Sequence, residues 1–232
     1  MKKYFIESLL IVGSVLFSLY IDSLIQHQNK IDLKKSILSE LRLTINQDLN
    51  QLKNVVDVEG STLVSNQILL DDYLSKTKLN KKELVKHFSK LKQFGALSFF
   101  IQSGPYSQLI QTGSLELINN KSLRSNLLLA YDNLNKRKEF GDIMLDQFSL
   151  DFGRELSQYI VVSESISDSI NKFYKTRKVD NFVISDDYYN SQKVFFFYSE
   201  YKFWIEAFID IHKNYSKLLN KILVQIESEL ND

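Results

Sequence analysis

The stretch YKFWIEAFIDIHKNYSKLLNKILVQI, residues 201–226, decides the fold of this chain. Four large apolar residues recur in it at every seventh position: Tyr201, Phe208, Tyr215 and Ile222. The positions between them repeat the same spacing with Ile205, His212, Leu219 and Ile226. A stripe with steps of three and four residues is typical of a helix that buries one face. The pattern predicts a helix from about Tyr188 to Leu230, about 60 Å long at ~1.5 Å per residue.

A second helical stripe occupies Ile31 to about Val58. Its apolar residues are three or four positions apart: Leu38, Leu41, Ile45, Leu49, Leu52 and Val55. No helix breaker separates this stripe from the apolar segment before it, so we predict one long rod that Gly60 ends or loosens. We expect an all-α protein, an antiparallel helical bundle in which the long first and last helices are neighbours.

The composition supports a helical protein and excludes several kinds of chemistry. The 232 residues include seven Gly, one Pro and no Cys, which leaves few turns and rules out disulfides and thiol catalysis. The 29 Lys and Arg are balanced by 28 Asp and Glu, so a general nucleic-acid binder, with its basic excess, is not expected.

The amino-terminal segment Tyr4–Ile21 is apolar and carries one charge, Glu7. Eighteen helical residues reach about 27 Å, enough to cross a bilayer core. A signal peptide and a buried helix of a soluble protein are alternatives, although small residues suited to cleavage are missing at the exit. We therefore expect a transmembrane anchor over residues 1–29 and one bundle domain over residues 30–232. Lysines on both sides nearly balance; we favour a cytoplasmic amino terminus and a body outside the cytoplasm.

Glu7 is the one residue whose position carries a free-energy cost, since an intramembrane carboxylate costs about 2–3 kcal/mol. One interpretation is a glutamate at the membrane interface, paired with Lys3. The other is a polar contact to another transmembrane helix, as in subunits of ion-driven complexes.

The middle of the chain predicts shorter elements. Asn80 suits an N-cap for a Lys-rich amphipathic helix, Lys81 to Gln93. Gly95–Pro105 holds two glycines and the only proline, which predicts a loop or junction. Further along we expect two short helical pieces, a long helix and a polar excursion with short helices: Tyr106–Gln111, Ser114–Asn119, Lys121 to about Ile160, and Val161–Asp187.

The run YSQLIQTGSLELINNKSLR, residues 106–124, resembles a motif of an uncharacterised family of small single-pass membrane proteins common in the Bacteroidota. The family motif is Tyr-x-x-Leu-x-x-Ser/Thr-Gly-x-Leu-x-x-Ile-x-Asn-x-x-Leu-Arg, and it aligns here without a gap. The family anchor also begins with a glutamate before an aliphatic run, as at Glu7. This chain has Ile6 where the family has Gly, and it lacks the family's basic tail and Asn-rich exit. The resemblance implies an architecture and no activity.

The motif also has a physical interpretation of its own. Gly113 suits the left-handed backbone that ends a helix, and Ser114 and Asn120 suit caps of the next two helices. Together with Tyr106 they predict a helix–turn–helix joint that packs on the bundle. The alternative is a pocket for an anionic group near Arg124.

The remaining chemistry is sparse. We expect His27 at the membrane surface, His87 on the Lys-rich helix and His212 on the seam of the last helix, none of them a metal ligand. The lysines between positions 76 and 92 are expected to form a solvated face, or one that touches anionic lipid or a partner. The aromatic residues near position 200 exceed what one helix face buries, so four are candidate interface residues: Phe196, Phe197, Tyr201 and Trp204.

These patterns favour a non-catalytic, membrane-anchored interaction or assembly module without cofactor or metal. We expect membrane lipid, a second copy or other membrane subunits as partners, and no nucleic acid. Two alternatives stay open: an ion-coupled subunit that uses Glu7, and a small-molecule sensor with a pocket between residues 106–124 and the last helix.

Overall fold

The computed structural model describes residues 2–75, 78–92, 98–169 and 175–231, without the side chains of residues 2–9, 166–169 and 175–177. Six α-helices and two strands follow in chain order: α1 Lys2–Ser75, α2 Lys81–Lys92, α3 Gly104–Gln111, α4 Lys121–Leu128, α5 Asn135–Leu156, β1 Ile160–Ser169, β2 Lys175–Ile184 and α6 Gln192–Asn231. The predicted helical architecture, with long first and last helices, is confirmed.

The long helices α1 and α6 pack antiparallel along their lengths. Near residue 34 of α1, the Lys34 Nζ lies 2.9 Å from Glu229 Oε1 of α6. Farther up α1, Asn66 Nδ2 donates to the Tyr198 carbonyl over 2.9 Å. We name the end at Lys34 the proximal end and the end at Ser75 the distal end. The other elements pack around this pair.

Two hydrophobic clusters follow one another along the bundle. The proximal cluster joins residues 37–55 of α1 and 215–226 of α6 to α3 and α4. The distal cluster joins the end of α1 and the first half of α6 to α2, α5 and the hairpin. Because each cluster is built from one side of every helix, the three- and four-residue stripes of the sequence correspond to real core positions.

The excursion 161–187 forms an antiparallel β-hairpin, and the expected short helices are wrong. Strand β1 pairs with β2, with Ile160 opposite Ile184 and Val162 opposite Phe182. These four side chains pack at the distal cluster, whereas Val161 and Val183 between them are exposed. This alternation has a period of two, the signature of a half-buried strand. Phe173 and Tyr174 lie outside the described residues.

Helix α1 continues through Gly60, so the expected break there is wrong. Between α4 and α5 the chain stays helical, with a π-helical turn at Leu129–Leu134, so the predicted long helix runs over Lys121–Leu156. The loop predicted at Gly95–Pro105 is confirmed where the structure describes it: residues 98–103 have no regular structure, and α3 begins at Gly104.

The apolar start of α1 is long and apolar enough to cross a membrane, the one such helix among the described residues. A signal sequence passes the same test of length and composition. Side chains of residues 10–30 are exposed, and the first buried side chain of α1 in the described part is Lys34. Residues 10–30 therefore make no part of either hydrophobic cluster.

Candidate functional site

The joint predicted from residues 106–124 lies at the proximal end of the bundle. Gly113 has φ +69°, the left-handed backbone that was predicted, and follows the carboxyl end of α3. Ser114 is buried at the start of a 3₁₀ turn, Ser114–Leu117, and its hydroxyl lies 2.8 Å from that of Thr112. The predicted cap by Ser114 is wrong, because Gly113 occupies the cap position and no side chain caps this turn.

Asn120 and Arg124 hold the second half of the joint. Asn120 Oδ1 accepts from the Leu123 N–H over 3.0 Å, which confirms the predicted N-cap of α4. The Arg124 guanidinium donates to the Glu116 carbonyl over 3.3 Å and lies 3.8 Å from the Glu116 carboxylate. Arg124 thus ties the 3₁₀ turn to α4, and its charge faces a carboxylate of the chain itself.

The residue that holds this joint to the long helices is Glu229, which sequence reasoning missed. Its buried carboxylate accepts from Lys34 Nζ over 2.9 Å, from the Asn119 N–H over 2.8 Å and from the Asn120 N–H over 3.0 Å. Lys34 also donates to the Leu117 carbonyl over 3.2 Å. A signal was present, since position 229 continues the seven-residue series of Tyr215 and Ile222 with a charged residue.

Tyr106 anchors the joint to the π-helical turn. Its ring stacks on Tyr131 with 4.7 Å between centroids, and its hydroxyl donates to Asp132 Oδ2 over 2.6 Å. Burial, and next the bond to Asp132, raise the pKa of Tyr106. Tyr215 of α6 donates to the Ala130 carbonyl in the same turn. The π-helical turn therefore presents a backbone carbonyl and a carboxylate to two tyrosines, and the motif serves packing.

A buried polar pair lies where the two hydrophobic clusters meet. His212 Nδ1 and Glu59 Oε1 are 2.8 Å apart, and both side chains are fully buried. Within the described chain, His212 Nε2 and Glu59 Oε2 have no hydrogen-bond partner. His212 lies on the seam as predicted, and the rings of Phe99 and Phe208 contact it edge-on. His27 is exposed on α1, and His87 is half-buried on α2.

The four candidate interface aromatics separate into two groups. Phe197 and Tyr201 are buried in the distal cluster, and the Tyr201 hydroxyl donates to the Leu91 carbonyl. Trp204 is half-buried beside Phe148 of α5, with 6.4 Å between ring centroids. Phe196 is 54 % exposed and leaves its ring in solvent. Sequence reasoning did not single out Phe203, which is 62 % exposed and contacts Trp204.

Helix α5 has apolar residues on two sides. Leu145, Phe148 and Phe152 pack toward α6 in the distal cluster. The opposite side exposes four apolar side chains, which helical spacing places within about a third of the helix circumference: Phe140, Ile143, Met144 and Leu150. Together with Phe196 and Phe203 of α6 we name these six residues the lateral apolar residues.

Glu7 belongs to α1, but its side chain lies outside the described residues, so the intramembrane contact stays a prediction. No group of three or more His, Asp or Glu residues suited to a metal ion occurs in the described chain. A scan of protein-family models, a search of curated proteins and a search of solved structures each found no match to this chain. The family resemblance of residues 106–124 therefore stays a prediction.

Proposed function

We propose that this chain is a non-catalytic, membrane-anchored assembly module of a bacterial inner membrane, with its bundle outside the cytoplasm. The observation that carries the proposal is the set of lateral apolar residues, six exposed side chains on α5 and α6, two helices that pack against each other. Large apolar side chains grouped on a surface mark protein–protein interaction sites. Aromatic residues at such sites contribute much of the binding free energy.

We propose a second copy of this chain as the first occupant of this surface. Two copies with the same anchor share one orientation and present the same residues at the same height above the bilayer. Anchoring confines both copies to one plane, which raises their effective concentration and lets a modest contact area suffice. The alternative partner for this surface is a neighbouring subunit of a membrane complex.

The absence of cysteine from the sequence allows a clean crosslinking experiment. Phe203→Cys and Ile143→Cys, each in the full chain in native membranes, are expected to form intermolecular disulfides under mild oxidation. Val224→Cys is the matched control, since it is 68 % exposed on α6 near the proximal end. A Phe203→Ser change should weaken crosslinking through Ile143→Cys.

Crosslinking of Phe203→Cys to another membrane protein would identify a neighbouring subunit, and not a second copy, as the partner. The proposed assembly function would still hold. Equal crosslinking at Val224→Cys, or none at any position with a monomer in mild detergent, would contradict the proposal. Both outcomes are visible on a non-reducing gel followed by mass spectrometry.

A further inference from the structure

Helix α2 displays a row of exposed lysines on the side opposite its core face. Leu84, Val85, Phe88 and Leu91 are buried, and they fix α2 against the distal cluster. The exposed side carries Lys82, Lys86 and Lys90, each four residues after the last. Side chains four apart are neighbours on a helix surface, so the three amines form one continuous row, which we name the lysine row.

The lysine row is neutralised only in part within the described chain. None of its amines forms an ion pair there, whereas Lys92 lies 3.5 Å from the Glu164 carboxylate of the hairpin. Burial, followed by the charges of Lys90 and Lys86, lowers the pKa of His87 beside the row. The one carboxylate on α2 is Glu83. Glu83 is three residues from Lys86 and offsets part of the charge, but five lysines and one glutamate still leave α2 with a formal net charge of +4.

The row also works against the stability of its own helix. Like charges four residues apart repel each other, and Lys82–Lys86 and Lys86–Lys90 are two such pairs. Lys81 and Lys82 stand at the first turn, where the helix dipole disfavours positive charge. Residues that destabilise the helix they belong to are better explained by a contact outside the chain than by folding.

Because of the position of α2, the lysine row cannot contact the bilayer in which this chain is proposed to be anchored. The Leu79 N–H donates to Asp72 Oδ1 over 2.6 Å, which places the start of α2 beside the distal end of α1. From Ile25, at the end of the exposed apolar run, to Asp72 the helix α1 rises about 70 Å at ~1.5 Å per residue. Lipid headgroups at the anchor are out of reach of this row when α1 stands upright.

We propose that the lysine row is an electrostatic docking site for an acidic surface of another protein, distinct from the lateral apolar residues. The positive charge of the row complements an acidic surface, and a helix with carboxylates four residues apart matches its spacing. Single-stranded nucleic acid fits poorly, because it requires aromatic platforms beside the charges and the aromatic residue of α2, Phe88, is buried. The whole chain has a net charge of +1, so the basic character is local.

The test uses the full chain in nanodiscs of zwitterionic lipid and a fluorescein-labelled helical peptide with glutamate at every fourth residue. Fluorescence anisotropy at low salt should show binding that weakens steeply with added salt. The triple change Lys82/Lys86/Lys90→Gln should weaken binding about tenfold, and the same positions changed to Arg should keep it within about twofold. Circular dichroism should show an unchanged helix content for both variants.

A matched control exists on α6, where Lys213, Lys217 and Lys221 are exposed with the same spacing. Their triple change to Gln is expected to leave peptide binding within about twofold, because Asp210 and Glu227 on the same helix offset their charge. An equal loss with this control, no binding at low salt, or tighter binding of a twelve-nucleotide single strand or of phosphatidylglycerol vesicles would overturn the proposal. Phe203→Ser should leave peptide binding unchanged, which separates this site from the assembly surface.

Discussion

Replacing Glu229 by glutamine keeps the size of the side chain and removes its charge. Lys34 then stays buried without its counterion, and Asn119 and Asn120 keep only a neutral acceptor. Breaking a buried ion pair from one side costs about 3 kcal/mol or more, so we expect the free energy of unfolding to fall by about that amount. Urea unfolding followed by fluorescence of Trp204, the single tryptophan, measures it. Glu227→Gln, an exposed change two residues earlier, should cost less than about 0.5 kcal/mol.

The same carboxyl group makes stability depend on pH. Burial raises the pKa of Glu229, but the hydrogen bonds from Lys34, Asn119 and Asn120 outweigh burial and hold the pKa below its ordinary value. Such a group stabilises the fold above its unfolded-state pKa of about 4.3 and loses that contribution as pH falls through the folded-state pKa. The difference between the native protein and Glu229→Gln should therefore shrink below about pH 4. A difference that stays constant down to pH 3 would contradict the assigned role.

At the level of elements, alanine substitutions at two glycines test whether the backbone there is a continuous helix or a turn. Gly60 is inside α1 with open space where a Cβ would stand, so Gly60→Ala should stabilise the protein by about 0.5–1 kcal/mol. Gly113 has equal space but φ +69°, so Gly113→Ala should destabilise it by about 1 kcal/mol through backbone strain alone. Unfolding free energies of the two variants should move in opposite directions. A loss of stability in Gly60→Ala would mean that α1 is interrupted there.

The elements that sequence reasoning predicted well are those whose burial follows a helical period over many turns. Helix α6 and the stripe of α1 repeat their apolar positions over about eight turns, and tertiary contacts leave such a signal in the sequence. The hairpin was missed because its alternation involves few residues, Ile160 to Val162 and Phe182 to Ile184, among polar ones. The hairpin packs with α2 in the distal cluster, and local sequence does not record such tertiary packing.

In the joint of residues 106–124, backbone positions were predictable from the sequence and the long-range contact was not. Backbone needs were predictable at Gly113 and Asn120, because a left-handed turn and a helix cap each select particular residue types. Glu229 was not predictable as its anchor, since 109 residues separate it from Asn120 and only the packing of the joint against α6 brings them together. A charged residue at a seam position is the signal to follow in such chains.

At the scale of the whole molecule, the anchor segment and the bundle share one uninterrupted helix. If this helix is anchored as proposed, its continuity fixes the direction in which the lateral apolar residues and the lysine row face relative to the membrane plane. The two proposed contacts then lie on different faces, one beside the chain and one far above the bilayer. Among the described side chains of α1, burial begins at Lys34 and the hydrophobic clusters begin at Ile37, which separates the apolar segment from the core of the body.

That separation predicts that a chain beginning at residue 29 folds without detergent. It keeps Lys34 and every buried residue of α1, so urea unfolding monitored at Trp204 should give a cooperative transition whose free energy detergent changes by less than about 0.5 kcal/mol. A chain beginning at residue 42 is the control: it lacks Lys34, Leu38 and Leu41 and should lose several kcal/mol through the unpaired Glu229 and the emptied core positions. Aggregation of the longer chain would contradict this separation, because only burial of the apolar segment in the body would make its removal matter. Equal stability of the two chains would contradict the contribution assigned to Lys34, Leu38 and Leu41.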